Sequence, residues 1–426
     1  MPLPPRHASR LLAPIGALAC AWLLCACGGG SNDGSTRIRL LNASPDLAQG
    51  DLDIDKDRIA SAVPALTLSA YKRRDGGAVS LQVRDGGAGA TVASSPATLK
   101  DDAHYTLIAY GTPGAMRTSL LEEDQPAPAS GQSKLMVLNL APDAGPVDVF
   151  LTSDDAALAG AVPFVTRVAA GAGSGFVTRD SGSYRLRVTG AGRRDDVRLD
   201  LPAIELASAQ VATLVLRGGA GGVLVHGLML PQRGEAIRRD NPSARVRLVA
   251  ALARGRVDGQ LDGQALLADG ASPAIGAYQL VPAGARTLQA SVDGRALAPI
   301  AVSLQPGADH TLLLRGPATA PTVDVLTDDN RLPAGDGQAR LRLLNGLARP
   351  ATLNFNYSPI AEAIGPGQAG LATVRATGAG LLTVSAAGST APLHAERDFA
   401  AQTNSVYSVF LVGDDAAPQG IVRLER

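Results

Sequence analysis

The chain has 426 residues, of which 46% are hydrophobic, 18% charged and only 3% aromatic. Lys+Arg and Asp+Glu tie at 39 each, which excludes the basic excess expected of a nucleic-acid-binding domain. That charge balance and apolar content also exclude intrinsic disorder, and Gly 48 with Pro 28 stays below a low-complexity level.

All three cysteines, Cys20, Cys25 and Cys27, and the single tryptophan, Trp22, fall within the first 27 residues. Arg6 and Arg10 precede an apolar stretch from Leu11 to Leu24, the basic and hydrophobic parts of a secretory signal. The stretch is too short to be read first as a membrane-spanning helix. Its end, Leu24-Cys25-Ala26-Cys27 followed by Gly28-Gly29-Gly30-Ser31, resembles the bacterial lipobox. Leu24 stands at −3, small Ala26 at −1 and Cys27 at +1. The resemblance implies cleavage after residue 26 and a palmitate-type lipid on Cys27. The alternative is an ordinary signal peptide with Cys27 incidental. Gly28 in place of Asp carries no inner-membrane retention signal, so in a Gram-negative host the outer membrane is the expected address. No thiol remains beyond Cys27, so no disulfide can form within the remainder.

Four later segments share one pattern: Thr36-Arg-Ile-Arg-Leu-Leu-Asn42, Ser133-Lys-Leu-Met-Val-Leu-Asn139, Ala244-Arg-Val-Arg-Leu-Val-Ala250 and Ala339-Arg-Leu-Arg-Leu-Leu-Asn345. Alternation places Arg37 and Arg39 on one face and Ile38 and Leu40 on the other. This predicts a half-buried antiparallel strand with a charged, solvated face. At nearly constant separation each is answered by an apolar strand ending in glycine, at Gly111, Gly218, Gly316 and Gly413. Short strands punctuated by turn residues lie between, with no helical period. The expectation is an all-β chain of four small antiparallel, immunoglobulin-like β-sandwich repeats. The divisions are a signal segment 1–26, a tether 27–35 and repeats over 36–125, 133–238, 243–331 and 338–426. Linkers this short predict an elongated string with limited bending.

The opening motif continues as Asn42-Ala-Ser-Pro-Asp46 with Asp51-Leu-Asp53, and as Asn139-Leu-Ala-Pro-Asp143 with Val147-Asp-Val149. These features resemble the bacterial family called domain of unknown function 4397, secreted β-rich domains found in tandem. Repeat four keeps Asn345 without the Ser-Pro-Asp, and repeat three lacks both. The resemblance implies fold and setting, and the family supplies no activity.

Little chemistry announces itself. The Asn-x-x-Pro-Asp loop is read as a structural turn in which the Asn42 amide bonds the turn backbone, with a ligand loop as the alternative. Asp51-Leu-Asp-Ile-Asp-Lys-Asp57 puts four carboxylates on one strand face; calcium is an option, an exposed edge the preferred reading. His104 and His310 occupy related places beside the closing strands, and no zinc spacing exists. Ser174 lacks the flanking glycines of a nucleophile elbow, and Gly218-Gly-Ala-Gly-Gly222 lacks a phosphate-loop lysine. Basic clusters such as Lys72-Arg73-Arg74 read as solvated turns. Tyr71, Tyr278 and Tyr357 are the tyrosines free to contact a sugar. No catalytic residues, cofactor or metal are expected. The function expected is a non-enzymatic, lipid-anchored envelope scaffold, structural or adhesive, held to the membrane through Cys27 and facing the periplasm or the cell surface. Its partner would be an envelope protein or a polysaccharide. The alternative is a polysaccharide- or matrix-binding lipoprotein with defined sugar sites.

Overall fold

The computed structural model describes residues 35–426 apart from 377, 387, 388 and 390. Cys27, the expected signal segment and all but the last residue of the expected tether lie outside the described residues. Among the described residues there is no α-helix, only the single 3-10 turns Pro142–Ala144 and Leu158–Gly160. The chain is a tandem β-sandwich protein, with eight sheets arranged as two per repeat.

In the first repeat one sheet has the order Thr67–Leu68, Ser35–Asn42, His104–Tyr110, Arg117–Glu122, with Lys72–Asp75 also on the opening strand. The facing sheet has the order Asp57–Pro64, Gln49–Ile54, Gly77–Asp85, Thr91–Leu99. Ile38, Leu40, Leu52, Ile54, Leu81, Val83 and Leu107 are fully buried between them, and the other three repeats enclose equivalent cores. The sheets are antiparallel with one exception per repeat. Opening and closing strands lie side by side in parallel, Leu40 opposite Leu107 and Leu343 opposite Val409. The chain crosses to the facing sheet and returns between these two strands, and that long excursion permits a parallel partner.

The charged face of the opening strands is not solvated. Arg39, Arg247 and Arg342 are 3%, 0% and 2% exposed. That face packs repeat against repeat. Leu41, Ile108 and Tyr110 of the first repeat meet Leu138, Leu140, Val215, Leu228 and Leu230 of the second. Val249 and Leu313 of the third meet Leu344, Phe410 and Val412 of the fourth. A parallel pair of strands buried on both faces explains the consecutive apolar residues Leu40-Leu41 and Leu343-Leu344 that interrupt the alternation. Burying each large aliphatic side chain contributes about 1.5–3 kcal/mol, so these contacts hold firm pairs.

The buried guanidiniums of Arg39 and Arg247 find acceptors on both sides of the interface. Arg39 donates to both oxygens of Glu123 at 3.0 and 3.1 Å, to Thr106 Oγ1 at 2.8 Å and to the Gly234 carbonyl across the interface at 2.8 Å. Its guanidinium lies 4.4 Å from the Tyr71 ring centroid. In the second pair Arg247 reaches Thr311 and, across the interface, Glu425, each at 2.8 Å, and lies 4.3 Å from the Tyr278 ring centroid. Tyr71 and Tyr278 are therefore interface residues, not free sugar contacts, and burial beside a carboxylate raises both phenol pKa values. Tyr357 alone of the three is exposed, at 87%.

The repeats alternate between two types. In the first and third, the strand flanking the opening strand is split, as Thr67–Leu68 with Lys72–Asp75 and as Ala274–Ile275 with Gln279–Pro282. In the second and fourth it is continuous, as Gly173–Asp180 and Ala369–Arg375. The break is where Tyr71 or Tyr278 leaves the strand to stack on the arginine. The molecule is a duplicated pair.

Candidate functional site

The Asn-x-x-Pro-Asp motif divides into two parts with different work. Asn42 is fully buried and donates to the carbonyls of Leu47 and Val63 at 2.8 and 3.2 Å, while its Oδ1 accepts from the Ser44 amide at 3.3 Å. Asn139 and Asn345 repeat this arrangement, which ties the turn to the neighbouring strand as the sequence suggested. The aspartates do not shape their own turn. Asp46 pairs with Arg331 at 3.1 Å, and Asp143 accepts the Leu332 amide at 2.6 Å, so the two reach the end of the third repeat and the linker that follows it. Arg426 of the fourth repeat donates to the carbonyls of Asp143 and Gly222. These contacts overturn the expected elongated string, since a linker side chain can bridge repeats that its own length does not keep apart.

Gly218-Gly-Ala-Gly-Gly222 serves the same docking. A Cβ on Gly219 or Gly221 would lie 2.4 or 2.5 Å from backbone atoms of Gly307 or Asp309 in the third repeat. The glycines let two backbones meet, and no phosphate cradle is needed to explain them.

Around this junction lies a cleft of about 250 Å³. Its walls are the loops that follow the opening and closing strands of the first two repeats, closed by Pro306 and Arg331. Pro45, Pro142, Pro306 and Tyr110 give it apolar sides, while Asp46, Asp143, Arg217, His226 and Arg331 supply polar ones. Arg331 is shared between Asp46 and Asp329, which raises its pKa, and Asp329 in turn binds Arg340 at 2.8 Å and is held well below the usual carboxylate range. Arg217 is 5% exposed and donates to Asp240 at 2.6 Å; burial lowers its pKa. His226 packs over Gly307 and accepts the Asn241 amide at Nδ1 at 3.1 Å, and burial lowers its pKa to about 4. Asp143 is 8% exposed, and burial raises its pKa above the usual value.

The second pair has the corresponding groove, about 600 Å³, between the loops at Ala253–Arg254, Gly316–Thr319, Gly346–Ala348 and Gly413–Ala416. Where Asp46 and Asp143 stand in the first pair, Arg254 and Arg349 stand here. Arg349 turns to Asp415 at 3.5 Å.

The Asp51–Asp57 segment is corrected in two respects. Its strand ends at Ile54, so Asp55 lies in the hairpin turn and Asp57 on the next strand, and the four carboxylates share no face. The strand is central, with Asp51 and Asp53 buried and both paired with Arg58, Asp51 at 2.5 Å. Among the described residues no group of three or more His, Cys, Asp or Glu is arranged to hold a metal ion. The role of Asp51 is shown by its counterparts. Asp51, Asp148 and Asp258 accept the amides of Ala62, Arg167 and Asp269 at 2.7–2.8 Å, and Thr352 accepts that of Ala363 at 3.1 Å. Those four amides belong to left-handed residues, with φ of 50°, 52°, 48° and 50°, at the bulge of the neighbouring strand. A side-chain acceptor at this point steadies a backbone that non-glycine residues seldom adopt.

His104 and His310 are not equivalent. His310 takes the Gln305 amide at Nε2, as the Tyr105 and Tyr407 hydroxyls take those of Lys100 and Gln402, so His104 corresponds to Asp309. Ser174 Oγ accepts the Val137 amide and donates to the Gly175 carbonyl, both within the sheet. Of the basic cluster, Lys72, Arg73 and Arg74 lie on a strand and not in a turn. Arg331 and Arg426 escaped the sequence reading because Asp46, Asp143 and Gly222, which they reach, belong to other repeats.

The family described as "Domain of unknown function (DUF4397)" matches residues 36–150 and 244–355, over half of the chain, and each match runs from the start of one pair into its second member. No curated protein matches the sequence. Among solved structures, the chain is similar to a family 26 carbohydrate-binding module of Eubacterium rectale Amy13K in complex with maltoheptaose, at 15% identity, 43% of this chain, 92% of that one and a TM-score of 0.15. It is also similar to the Bacillus anthracis TIE protein, at 11% identity, 87% of this chain, 68% of that one and a TM-score of 0.15. Likenesses this low carry nothing about function.

Proposed function

We propose a function from the premise that this chain belongs to the DUF4397 family, a domain of unknown function that assigns no activity. The protein is a lipid-anchored cell-envelope scaffold, non-enzymatic, structural or adhesive, with Cys27 carrying the lipid and the outer membrane as its address in a Gram-negative host. One observation carries this reading: loops from separate repeats are locked into one cleft by the Asp46–Arg331 pair and the Asp143–Leu332 hydrogen bond. Rigid strands presenting joined loops make a recognition surface. Asp46, Arg217 and Arg331 are already engaged with protein partners, which supports holding and binding over proton transfer.

Protease shaving of intact cells, with a periplasmic marker as control, tests the adhesive form. Rapid loss of the tagged chain supports it, whereas protection until the outer membrane is permeabilised moves the partner to the periplasm. Cys27→Ala is expected to release the protein from the membrane fraction, and retention there would contradict the anchor. Labelling by a serine-hydrolase probe would contradict the non-enzymatic reading. A second reading, a polysaccharide- or matrix-binding lipoprotein with defined sugar sites, is favoured by the proline and tyrosine walls of the cleft. Glycan-array binding tests it.

A further inference from the structure

The central cleft contains two polar side chains that the protein leaves half used. Asp143 is 8% exposed; its Oδ1 accepts the Leu332 amide, and its Oδ2 has no hydrogen-bond partner among the described residues. His226 is 7% exposed; its Nδ1 accepts the Asn241 amide at 3.1 Å, and its Nε2 has no hydrogen-bond partner among the described residues. A neutral imidazole that accepts at Nδ1 carries its proton on Nε2, so the histidine offers a donor and the aspartate an acceptor. Burial keeps the ring neutral above pH about 4, so this donor does not bring a charge with it. Neither atom is sealed from solvent, and two unengaged polar groups lining one cavity mark a place for a ligand.

The walls narrow the class of ligand. Asp46 and Asp143 are balanced by Arg217 and Arg331, so neither an anion nor a cation is favoured overall. Pro45, Pro142 and Tyr110 offer flat apolar surface beside the polar pair. About 250 Å³ is below the ~300–1,000 Å³ of pockets for drug-sized ligands, so one ring fits and a chain of rings does not. We infer that the cleft binds a single uncharged, hydroxyl-bearing sugar ring, whose hydroxyls donate to Asp143 Oδ2 and accept from His226 Nε2–H. This rests on the sugar-binding reading and gives it a site and a ligand class.

Saturation-transfer NMR on the detergent-solubilised full chain tests it, with glucose, galactose, mannose and N-acetylglucosamine as neutral probes and galacturonate and glucosamine as charged ones. Saturable binding of at least one neutral ring, at least tenfold tighter than either charged ring, is expected. Asp143→Asn keeps an oxygen for Leu332 but turns the free acceptor into a donor, and should weaken binding at least tenfold while the Leu332 amide stays protected. His226→Phe removes the donor while keeping a ring over Gly307, and should weaken binding likewise from the other side of the cleft if Asp143→Asn disturbs docking. Tighter binding of a charged ring would overturn the ligand class. Neutral binding untouched by both substitutions would overturn the site and leave the sugar-binding reading standing. No binding of these sugars, with a blank glycan array, would overturn both.

Discussion

The two pairs are built on one plan, and they differ in what their interfaces and loops do with charge. In the first pair one buried arginine, Arg39, faces one carboxylate, Glu123, and Met136 stands at the matching place in the second repeat. In the second pair two buried arginines, Arg247 and Arg342, share Asp328 and Glu425 across longer contacts of 3.4–3.9 Å besides one at 2.8 Å. Arg247 Nη2, Asp328 Oδ1 and Arg342 Nε and Nη1 are buried there without a hydrogen bond, whereas no side-chain atom of Arg39, Thr106 or Glu123 is left in that condition. At the loops the charges reverse, Asp46 and Asp143 against Arg254 and Arg349, and Gly219-Ala220 is replaced by Asp414-Asp415. The same frame thus presents a docking face in the first pair and a charged, uncovered face in the second.

The largest effect should come from breaking the simpler interface. Glu123→Ala strands Arg39 in a buried site and is expected to cost about 3–5 kcal/mol, read as a lowered urea midpoint for the first pair. Replacing both partners, Arg39→Met with Glu123→Leu, should recover most of that loss, since the second repeat already carries methionine at this position. Equal damage from the single and the double substitution would contradict the account.

A smaller effect separates docking from local backbone strain. Gly307→Ala and Gly263→Ala both place a side chain at positive φ, 72° and 87°, which costs about 1 kcal/mol on general grounds. Only at Gly307 would the new Cβ also strike His226, 2.2 Å from Nε2. Gly307→Ala should therefore raise amide exchange at Gly221 and Gly222 as well as lower stability, while Gly263→Ala leaves those amides protected.

The pH dependence has a definite sign. His226 faces Arg217, Asp240 and Arg238, and its pKa falls from 6.5 to about 4 on folding. The unfolded chain binds more protons between these values, so the contribution is complete above about 6.5 and is lost as pH falls toward about 4. His226→Gln should flatten the pH profile of the junction over this window. Asp143, whose pKa is raised, acts in the opposite sense, so it cannot be the source of a loss at low pH.

The smallest effect expected is that of Asp46→Ala. The Asp46–Arg331 pair is partly exposed, and Arg331 keeps Asp329, so a change of about 0.2–1 kcal/mol is expected in a denaturant titration.

The repeats were legible in the sequence because the opening and closing strands carry their pattern locally, and Asn42 was legible as a turn residue because its partners lie within its own sandwich. The burial of Arg39 was not, since alternating arginine looks the same on a solvated face and on an interface where a carboxylate waits far along the chain. The consecutive apolar residues Leu40-Leu41 were the available signal. The duplicated pair could also have been read: Tyr71 and Tyr278 recur at nearly the separation of the first and third opening strands. Asp51 and Asp53 misled because four acidic residues in a row of seven suggest an open face, while Arg58 on the next strand neutralises the inner two. The docking role of Asp46 and Asp143 needed the linker of another repeat beside them.

The two pairs dock through the aspartates of the first pair, and native-state hydrogen exchange at the Leu332 amide reads that contact. In the full chain that amide should exchange slowly because Asp143 Oδ1 accepts it at 2.6 Å. Asp143→Ala should release it to the rate of an open linker while Leu41 and Leu107, deep in the first repeat, stay protected. Fast exchange at Leu332 in the unaltered chain would mean that the pairs do not dock, and the four repeats would be the string that the linkers alone suggest.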